Sequence, residues 1–274
     1  MKKVLTGFSN NITQNKQKIK WWVESFRKYS DGDIVLIASN TKEEDVKTLN
    51  DLAIEYHLVT EDDTWYINNK RLGHTKRFIE QFDGDLFLIT DVFDVIFQSD
   101  PFEKMETDNY DVFISREGIK VIEEPWNGDV IKKVFPDQLK SCLQTEIVCS
   151  GIIGGKKDAL IKLYDKMDFM CENSLDGHNI KDQAALIILV KDNWIENLKI
   201  FSLDDGWAMH CQSAGPTYFF EAWGLKNSLL KKGYGIPELK EDGFVYTQSG
   251  IKYDMVHQFN RVEEWKNIIT KEYE

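Results

Sequence analysis

The sequence predicts one α/β domain, Rossmann-like, in which a mostly parallel central sheet is flanked by helices. In the first third of the chain, short apolar runs alternate with amphipathic segments, as expected for βα units around a parallel sheet. No proline- or glycine-rich linker, low-complexity tract or internal repeat divides the chain. Its 274 residues, 42% of them apolar and 29% charged, are enough for one substantial core.

The predicted strands are short apolar runs bounded by polar residues. They cover residues 4–8, 33–38, 57–60, 86–90, 110–115 and 146–153. A first helix is predicted between the first two strands from apolar residues at helical spacing, namely Ile19, Trp22, Val23, Phe26 and Tyr29.

The remaining predicted helices are defined by their starts and by their apolar faces. Thr41 and Glu44 have the spacing of a capping box, which would open a helix that continues to about residue 53. Further helices are predicted to end at Phe82 and to cover 158–170 and 182–190. After Leu203 the pattern weakens into a region rich in glycine and aromatic residues, where functional loops often lie.

The charge balance excludes some classes of partner. The chain has 34 Lys+Arg against 46 Asp+Glu, a net charge of −12, which is a poor match to nucleic acid or anionic membranes. No apolar run reaches the length of a transmembrane segment, and the N-terminus becomes polar after Leu5, unlike a signal peptide. We therefore expect a cytoplasmic protein without a transmembrane segment, and its 4 cysteines are predicted to be reduced and mostly buried.

Two carboxylates follow the most apolar predicted strand. Asp91 and Asp94 come directly after residues 86–90, at the carboxyl edge where open α/β sheets bind their ligands. Two unpaired carboxylates there would repel each other, and a divalent cation shared with a diphosphate would remove that cost. A purely structural alternative is that both are turn residues that cap the strand.

The segment from His74 and Arg77 through Asp91 and Asp94 resembles the helix, strand and acidic motif of the GT-A class of nucleotide-sugar-dependent glycosyltransferases. The order is similar to that of glycosyltransferase family 8. The resemblance implies a single GT-A domain over 1–274, with a donor half at about 1–115 and an acceptor half at about 116–274. It also implies a bound Mn²⁺ or Mg²⁺, with Asp94 as the direct ligand and Asp91 shared between metal and donor ribose. The spacing departs from the usual DxD motif by one extra residue.

Other segments extend this resemblance. Ser150 and Gly151 lie in a small-residue stretch similar to the strand near the donor sugar, and Thr6, Gly7 and Phe8 are implied to hold the nucleobase. Arg77 is the arginine of the helix before the motif. Asp182 and Gln183 resemble the pair that opens a helix facing the reaction centre, although a carboxylate at a helix start is also simply a good cap.

The C-terminal segment resembles the part of family 8 that supplies a metal-binding histidine. His257 is implied to be the third metal ligand, and Arg261 is implied to neutralise the diphosphate where the family usually has a lysine. The structural alternatives are a hydrogen-bonded core histidine and an exposed salt bridge. Aromatic residues of the second half are candidates for the acceptor site, namely Trp126, Trp207, Tyr218, Phe219, Phe220 and Trp223.

The predicted function is therefore metal-dependent transfer of a sugar from a nucleotide diphosphate-sugar, with a UDP-sugar favoured, to a saccharide or other hydroxyl acceptor. The resemblance implies a retaining outcome, whereas an inverting enzyme would need a base, a role that Asp182 could fill. Two alternatives stay open: a sugar nucleotidyltransferase on a similar scaffold, and a non-catalytic carbohydrate-binding protein. An aspartyl phosphatase is disfavoured because the spacing of Asp91 and Asp94 does not fit its motif.

Overall fold

The computed structural model describes residues 1–60, 67–211 and 237–273, without the side chains of 67–69. A seven-stranded sheet in the order β3-β2-β1-β4-β7-β6-β8 forms the centre, and only β7 runs antiparallel to its neighbours among the described pairings. The predicted fold class is confirmed. The strands are β1 (Lys3–Ser9), β2 (Asp33–Ser39), β3 (Glu55–Val59), β4 (Leu86–Thr90), β5 (Val95–Phe97), β6 (Val112–Lys120), β7 (Glu146–Lys156), β8 (Leu198–Phe201), β9 (Ala208–His210), β10 (Glu238–Leu239), β11 (Val245–Tyr246) and β12 (Met255–His257).

Helices cover both faces of the central sheet. Neighbouring residues of one strand enter different apolar clusters, since Val4 and Phe87 belong to one and Leu5 and Leu88 to the other. Burial on both faces explains why these strands are continuous apolar runs in the sequence. No helix of the described residues combines the length and apolarity needed to cross a bilayer. The helices are α1 (Lys16–Tyr29), α2 (Glu43–Asp51), α3 (Ile67–Gln81), α4 (Glu103–Thr107), α5 (Pro125–Val134), α6 (Leu139–Cys142), α7 (Lys157–Glu172), α8 (Asp182–Lys191) and α9 (Glu263–Ile269).

The start of α2 differs from the predicted capping box. The side chain of Asp45, rather than Glu44, accepts a hydrogen bond from the backbone N–H of Lys42, at 3.0 Å. Asp45 also accepts from the backbone N–H of Thr13, at 2.7 Å. The prediction from Thr41 and Glu44 was therefore wrong by one residue, because a contact with a distant turn selects the carboxylate that faces it.

A second, three-stranded sheet lies beyond the carboxyl end of β4. Its order is β5-β12-β9, with β12 antiparallel to β5 and parallel to β9. The three strands contain three residues each. Strands this short carry almost no periodic signal, so the sequence did not predict this sheet.

Helices α3 and α7 pack closely at Gly73. A Cβ atom at that position would lie 2.8 Å from Oδ2 of Asp168. The carboxylate is half-buried there. Burial raises the pKa of Asp168 to about 6, and the nearby charge of Glu172 adds to the effect.

We predict that Asp168→Asn stabilises the protein at pH 7 by about 1 kcal/mol, after allowance for partial exposure of the carboxylate. The folded-state pKa of about 6 exceeds the ordinary value of 3.8, so the wild-type chain loses stability as the pH rises through this interval. The gain should therefore vanish near pH 4. Urea unfolding at both pH values measures it.

Asp165→Asn is the matched control on the same helix, since Asp165 is exposed and pairs with Lys76. It should give no gain at pH 7. Equal stability of wild type and Asp168→Asn at pH 7 would contradict the prediction.

Candidate functional site

The end of β4 carries both predicted carboxylates into the space between the two sheets. Asp91 follows the last residue of β4, and its backbone N–H donates to the carbonyl of Gly151 in β7, at 2.8 Å. Asp94 directly precedes Val95, the first residue of β5. The turn between them is therefore anchored by the central sheet on one side and by the second sheet on the other.

His257 reaches the same place from the C-terminal part of the chain. It pairs with Val95 across β5 and β12, and the N–H of Gln258 donates to the carbonyl of Asp94, at 2.6 Å. Its Nε2 lies 3.4 Å from Oδ2 of Asp91 and 3.6 Å from Oδ1 of Asp94. This buried nitrogen has no hydrogen-bond partner within the described part of the chain. The structure thus brings together the three predicted metal ligands, whose ligand atoms lie within 4.8 Å of one another.

Gly151 makes room for this cluster. A Cβ atom there would lie 2.7 Å from Oδ2 of Asp91 and 2.7 Å from Cε1 of His257. Any side chain would force the carboxylate and the imidazole apart. The sequence predicted that small residues here admit a donor sugar, and the geometry gives Gly151 the additional role of letting β7 approach the acidic turn.

The arginine that contacts the acidic turn is Arg71 of α3, which the sequence analysis did not select. Its Nη1 donates to Oδ1 of Asp91 at 2.7 Å, and its Nη2 donates to Oδ2 of Asp182. Arg77, the arginine that was predicted, is exposed and donates to Nδ1 of His74 at 2.8 Å. Arg71 precedes the segment that resembles the glycosyltransferase motif, which begins at His74. Its role is therefore visible only from its position on α3 and from its contacts with Asp91 and Asp182.

Asp182 begins α8 and is almost completely buried. One of its oxygens is taken by Arg71, and Oδ1 has no hydrogen-bond partner among the residues described. Asp182 lines a small cavity with Arg71, Asp91, Ser150 and Phe8. It is therefore more than a helix cap, because its carboxylate faces the same space as the acidic turn.

The electrostatics of the two carboxylates differ. Burial acts to raise the pKa of Asp91, but the charges of Arg71 and His257 outweigh it and hold that pKa well below its usual range. Burial raises the pKa of Asp94; His257 opposes the rise, the charge of Asp91 adds to it, and the charge of Arg261 opposes it. Asp91 is therefore firmly ionised, whereas the charge of Asp94 is only partly compensated by its neighbours.

His257 is the cationic partner of this turn. Burial disfavours its charged form, yet Cys149 and the carboxylates Asp94 and Asp91 raise the pKa of His257 well above its ordinary value. A divalent cation would supply the same positive charge to the carboxylates and would leave the imidazole neutral.

The predicted nucleobase residues lie at the end of β1. A Cβ atom on Gly7 would lie 2.4 Å from Cγ2 of Val92 and 2.6 Å from the carbonyl of Thr90, so only glycine allows β1 to approach the end of β4. The ring of Phe8 stacks on His74 with centroids 5.8 Å apart. Thr6 is fully buried, and its hydroxyl is unpaired in the described structure.

Gln183 faces a second polar group beside the cavity. Its amide nitrogen donates to Oε1 of Glu117 and to Oδ1 of Asn127, each at 3.2 Å. Glu124 in turn accepts from the amide of Asn127 at 2.9 Å and caps α5. Gln183 is thus held by neighbouring side chains, in contrast to the open oxygen of Asp182.

The cations Arg261 and Lys18 lie near Asp94, where both lower its pKa. Arg261 is exposed and ends the turn Phe259–Arg261 that follows β12. Its charge therefore lies beside the acidic turn, and its role in neutralising a diphosphate stays a prediction.

A buried group that the sequence analysis did not select lies behind His257. Nδ1 of His257 is 3.3 Å from Sγ of Cys149 and 3.1 Å from Nδ1 of His210. Nε2 of His210 lies 2.7 Å from the hydroxyl of Ser115. All 4 cysteines are free and buried, as predicted.

The aromatic residues proposed for the acceptor site have different outcomes. Trp207 is fully buried, stacks on Phe201 at 4.7 Å and donates to the carbonyl of Pro101, so its prediction as an acceptor platform was wrong. Trp126 packs edge-on against His178 at 5.8 Å. The other candidates lie outside the described residues, namely Tyr218, Phe219, Phe220 and Trp223.

Comparison with known proteins gives the fold. No protein-family model and no curated protein sequence matches the chain. A structure of the galactosyltransferase LgtC, in complex with donor and acceptor sugar analogues, matches over 98% of this chain and 95% of that chain with a TM-score of 0.57 and 9% identity. An apo structure of the bifunctional glycosyltransferase WbbM matches over 93% of this chain with a TM-score of 0.53 and 12% identity, and this chain covers 45% of its length. The chain therefore has the GT-A fold of these glycosyltransferases, as the resemblance in its sequence implied.

We predict that Arg71→Met lowers the free energy of unfolding by about 3 kcal/mol, because it leaves the carboxylate of Asp182 buried without its counterion. Thermal or urea unfolding at neutral pH measures the change. Arg77→Met is the control on the same helix, and its cost should stay below about 1 kcal/mol because Arg77 is exposed. Equal costs for the two variants would contradict the assigned pairing.

Proposed function

We propose that the chain is a metal-dependent glycosyltransferase that moves a sugar from a nucleotide diphosphate-sugar, with a UDP-sugar favoured, to a saccharide or other hydroxyl acceptor. The fold it shares with glycosyltransferases supports this reaction class. The observation that carries the proposal is the convergence of Asp91, Asp94 and His257, with a buried imidazole nitrogen aimed at two carboxylates.

The residues of this cluster fit Mn²⁺ or Mg²⁺. Two carboxylates and one imidazole form a hard, mixed oxygen and nitrogen ligand set, which suits Mn²⁺ in particular. The nitrogen without a hydrogen-bond partner in the described structure, Nε2 of His257, is the ligand atom that such an ion would use. When bound, the cation would supply positive charge against the departing diphosphate.

The side chains around the cluster have separable roles in this proposal. Arg71 fixes one oxygen of Asp91, which leaves Oδ2 facing His257. Arg261 and Lys18 add positive charge beside Asp94, where the negative charge of the diphosphate would develop. Phe8, together with Thr6 and Gly7, forms the end of β1 at which the nucleobase would bind.

Asp182 and Gln183 are the proposed contacts to the reacting sugars. Only Oδ1 of Asp182 remains for a substrate, because Arg71 holds the other oxygen. An oxygen so placed suits a hydrogen bond to a sugar hydroxyl, and we favour the retaining outcome over a role for Asp182 as general base. Ser150 lines the same cavity, and Gly151 lies beside it in β7 on the proposed donor side.

Asp94→Asn should abolish the Mn²⁺-dependent stabilisation of the protein by its donor. A ligand that binds only the folded state at about 100 times its dissociation constant adds about 2.7 kcal/mol of stability, which is visible as a higher melting temperature. A thermal-shift panel of nucleotide-sugars, with and without Mn²⁺, makes the measurement. Asp83→Asn, which changes an exposed carboxylate, should keep the full shift.

Product analysis with the active donor then identifies the reaction. Release of a nucleoside diphosphate with a glycosylated acceptor is expected. Release of pyrophosphate would identify a nucleotidyltransferase, and binding without turnover would identify a carbohydrate-binding protein. A full donor shift in Asp94→Asn would contradict the metal assignment.

A further inference from the structure

We propose that Cys149, His210 and His257 form a second, buried metal site that binds Zn²⁺. The site lies behind the acidic turn and uses Nδ1 of His257, the ring nitrogen that faces away from Asp91 and Asp94. Thiolate and imidazole ligands favour Zn²⁺ over Mn²⁺ or Mg²⁺. The proposed site shares His257 with the proposed donor-metal site, and it is distinguished from that site by its sulfur ligand.

Two distances between the ligand atoms are close to those of a tetrahedral ion, and the three residues offer ligand atoms within 4.8 Å of one another. With Zn–N bonds of about 2.0 Å and Zn–S bonds of about 2.3 Å, tetrahedral angles place two nitrogens about 3.3 Å apart and nitrogen and sulfur about 3.5 Å apart. The two Nδ1 atoms are 3.1 Å apart, and Sγ of Cys149 is 3.3 Å from Nδ1 of His257. Each of these two distances differs from its tetrahedral value by only about 0.2 Å.

The second ring nitrogen of each histidine already faces an oxygen. Nε2 of His210 lies 2.7 Å from the hydroxyl of Ser115, and Nε2 of His257 lies beside the carboxylates of Asp91 and Asp94. Histidines that bind metals through one nitrogen typically donate the other N–H to such an oxygen. Nδ1 of His257 therefore faces both the thiol of Cys149 and Nδ1 of His210.

The charges and protons also balance. Each neutral imidazole has one ring nitrogen with a lone pair that can bind an ion. Zn²⁺ would replace the proton of the Cys149 thiol and any proton on Nδ1 of His257, and both protons leave to solvent. One thiolate with two neutral imidazoles leaves a charge of +1, which Asp91 and Asp94 offset from the far side of His257. The N–H of Gly151 donates to the sulfur at 3.3 Å.

Zinc at this site excludes His257 from the acidic cluster. A neutral imidazole has one lone pair, and once Nδ1 binds zinc the other nitrogen carries the proton. His257 then cannot serve a Mn²⁺ ion held by Asp91 and Asp94. The side chains of these two carboxylates are 32% and 19% exposed, while the three zinc ligands are buried.

Cobalt(II) is the spectroscopic probe for this site. Metal-free protein titrated with Co²⁺ should give a sulfur-to-cobalt charge-transfer band in the near ultraviolet that saturates at one equivalent. Cys149→Ser should lose the band. Cys142→Ser, which changes another buried free cysteine, should keep it. Asp94→Asn should also keep it at saturating Co²⁺, which separates this site from the proposed donor site.

X-ray absorption of zinc-loaded wild type tests the site without any variant, so a folding defect in Cys149→Ser would not obscure the answer. One sulfur at about 2.3 Å and nitrogens at about 2.0 Å are expected. A shell of nitrogen and oxygen alone would overturn the proposal. A cobalt band that persists in Cys149→Ser, or one that disappears in Asp94→Asn, would overturn it as well.

Discussion

The pairing of β12 between β5 and β9 is the interaction on which the candidate site depends. It sets His257 opposite Val95 on one side and opposite His210 on the other, through the strand pairing of the backbone. The bond from Gln258 to the carbonyl of Asp94 extends this pairing to the acidic turn. A shift of one residue in the register would turn the imidazole to the opposite face of the small sheet. Docking of the C-terminal segment and assembly of the site are therefore one event.

Charge compensation is the second constraint on the candidate site. Three carboxylates converge at the end of β4, namely Asp91, Asp94 and Asp182. Arg71 bridges Asp91 and Asp182 with a single positive charge, whereas Asp94 relies on His257 and on more distant cations. Buried charges are tolerated only when they are paired, and a site with one weakly compensated carboxylate is suited to a ligand that brings positive charge.

The sequence predicted the parts of the site that follow from strand ends and motif order. Asp91 and Asp94 follow an apolar run. Such a run identifies a buried strand, and its C-terminal end marks the edge of the sheet where ligands bind. The position of His257 came only from family resemblance, because β12 is too short to show periodicity. The choice of Arg77 over Arg71 missed the residue that pairs with the turn. Six residues of α-helix rotate the side chain by about 240°, so the two arginines leave the helix in different directions.

His257 belongs to both proposed metal sites, and the ring nitrogen that carries its proton determines which of the two sites it can serve. A proton on Nδ1 leaves Nε2 for an ion held by carboxylates, and a proton on Nε2 leaves Nδ1 for an ion held by Cys149 and His210. Asp91 and Asp94 stabilise positive charge next to Nε2 of His257, whether it comes from a metal ion or from an N–H group. They therefore stabilise both protonation states of the ring. The sulfur breaks this symmetry, because its bond to a borderline-soft ion is stronger than to Mg²⁺ or Mn²⁺. In the two proposed sites, ligand softness on the buried side and negative charge on the open side would therefore select different ions through the same imidazole.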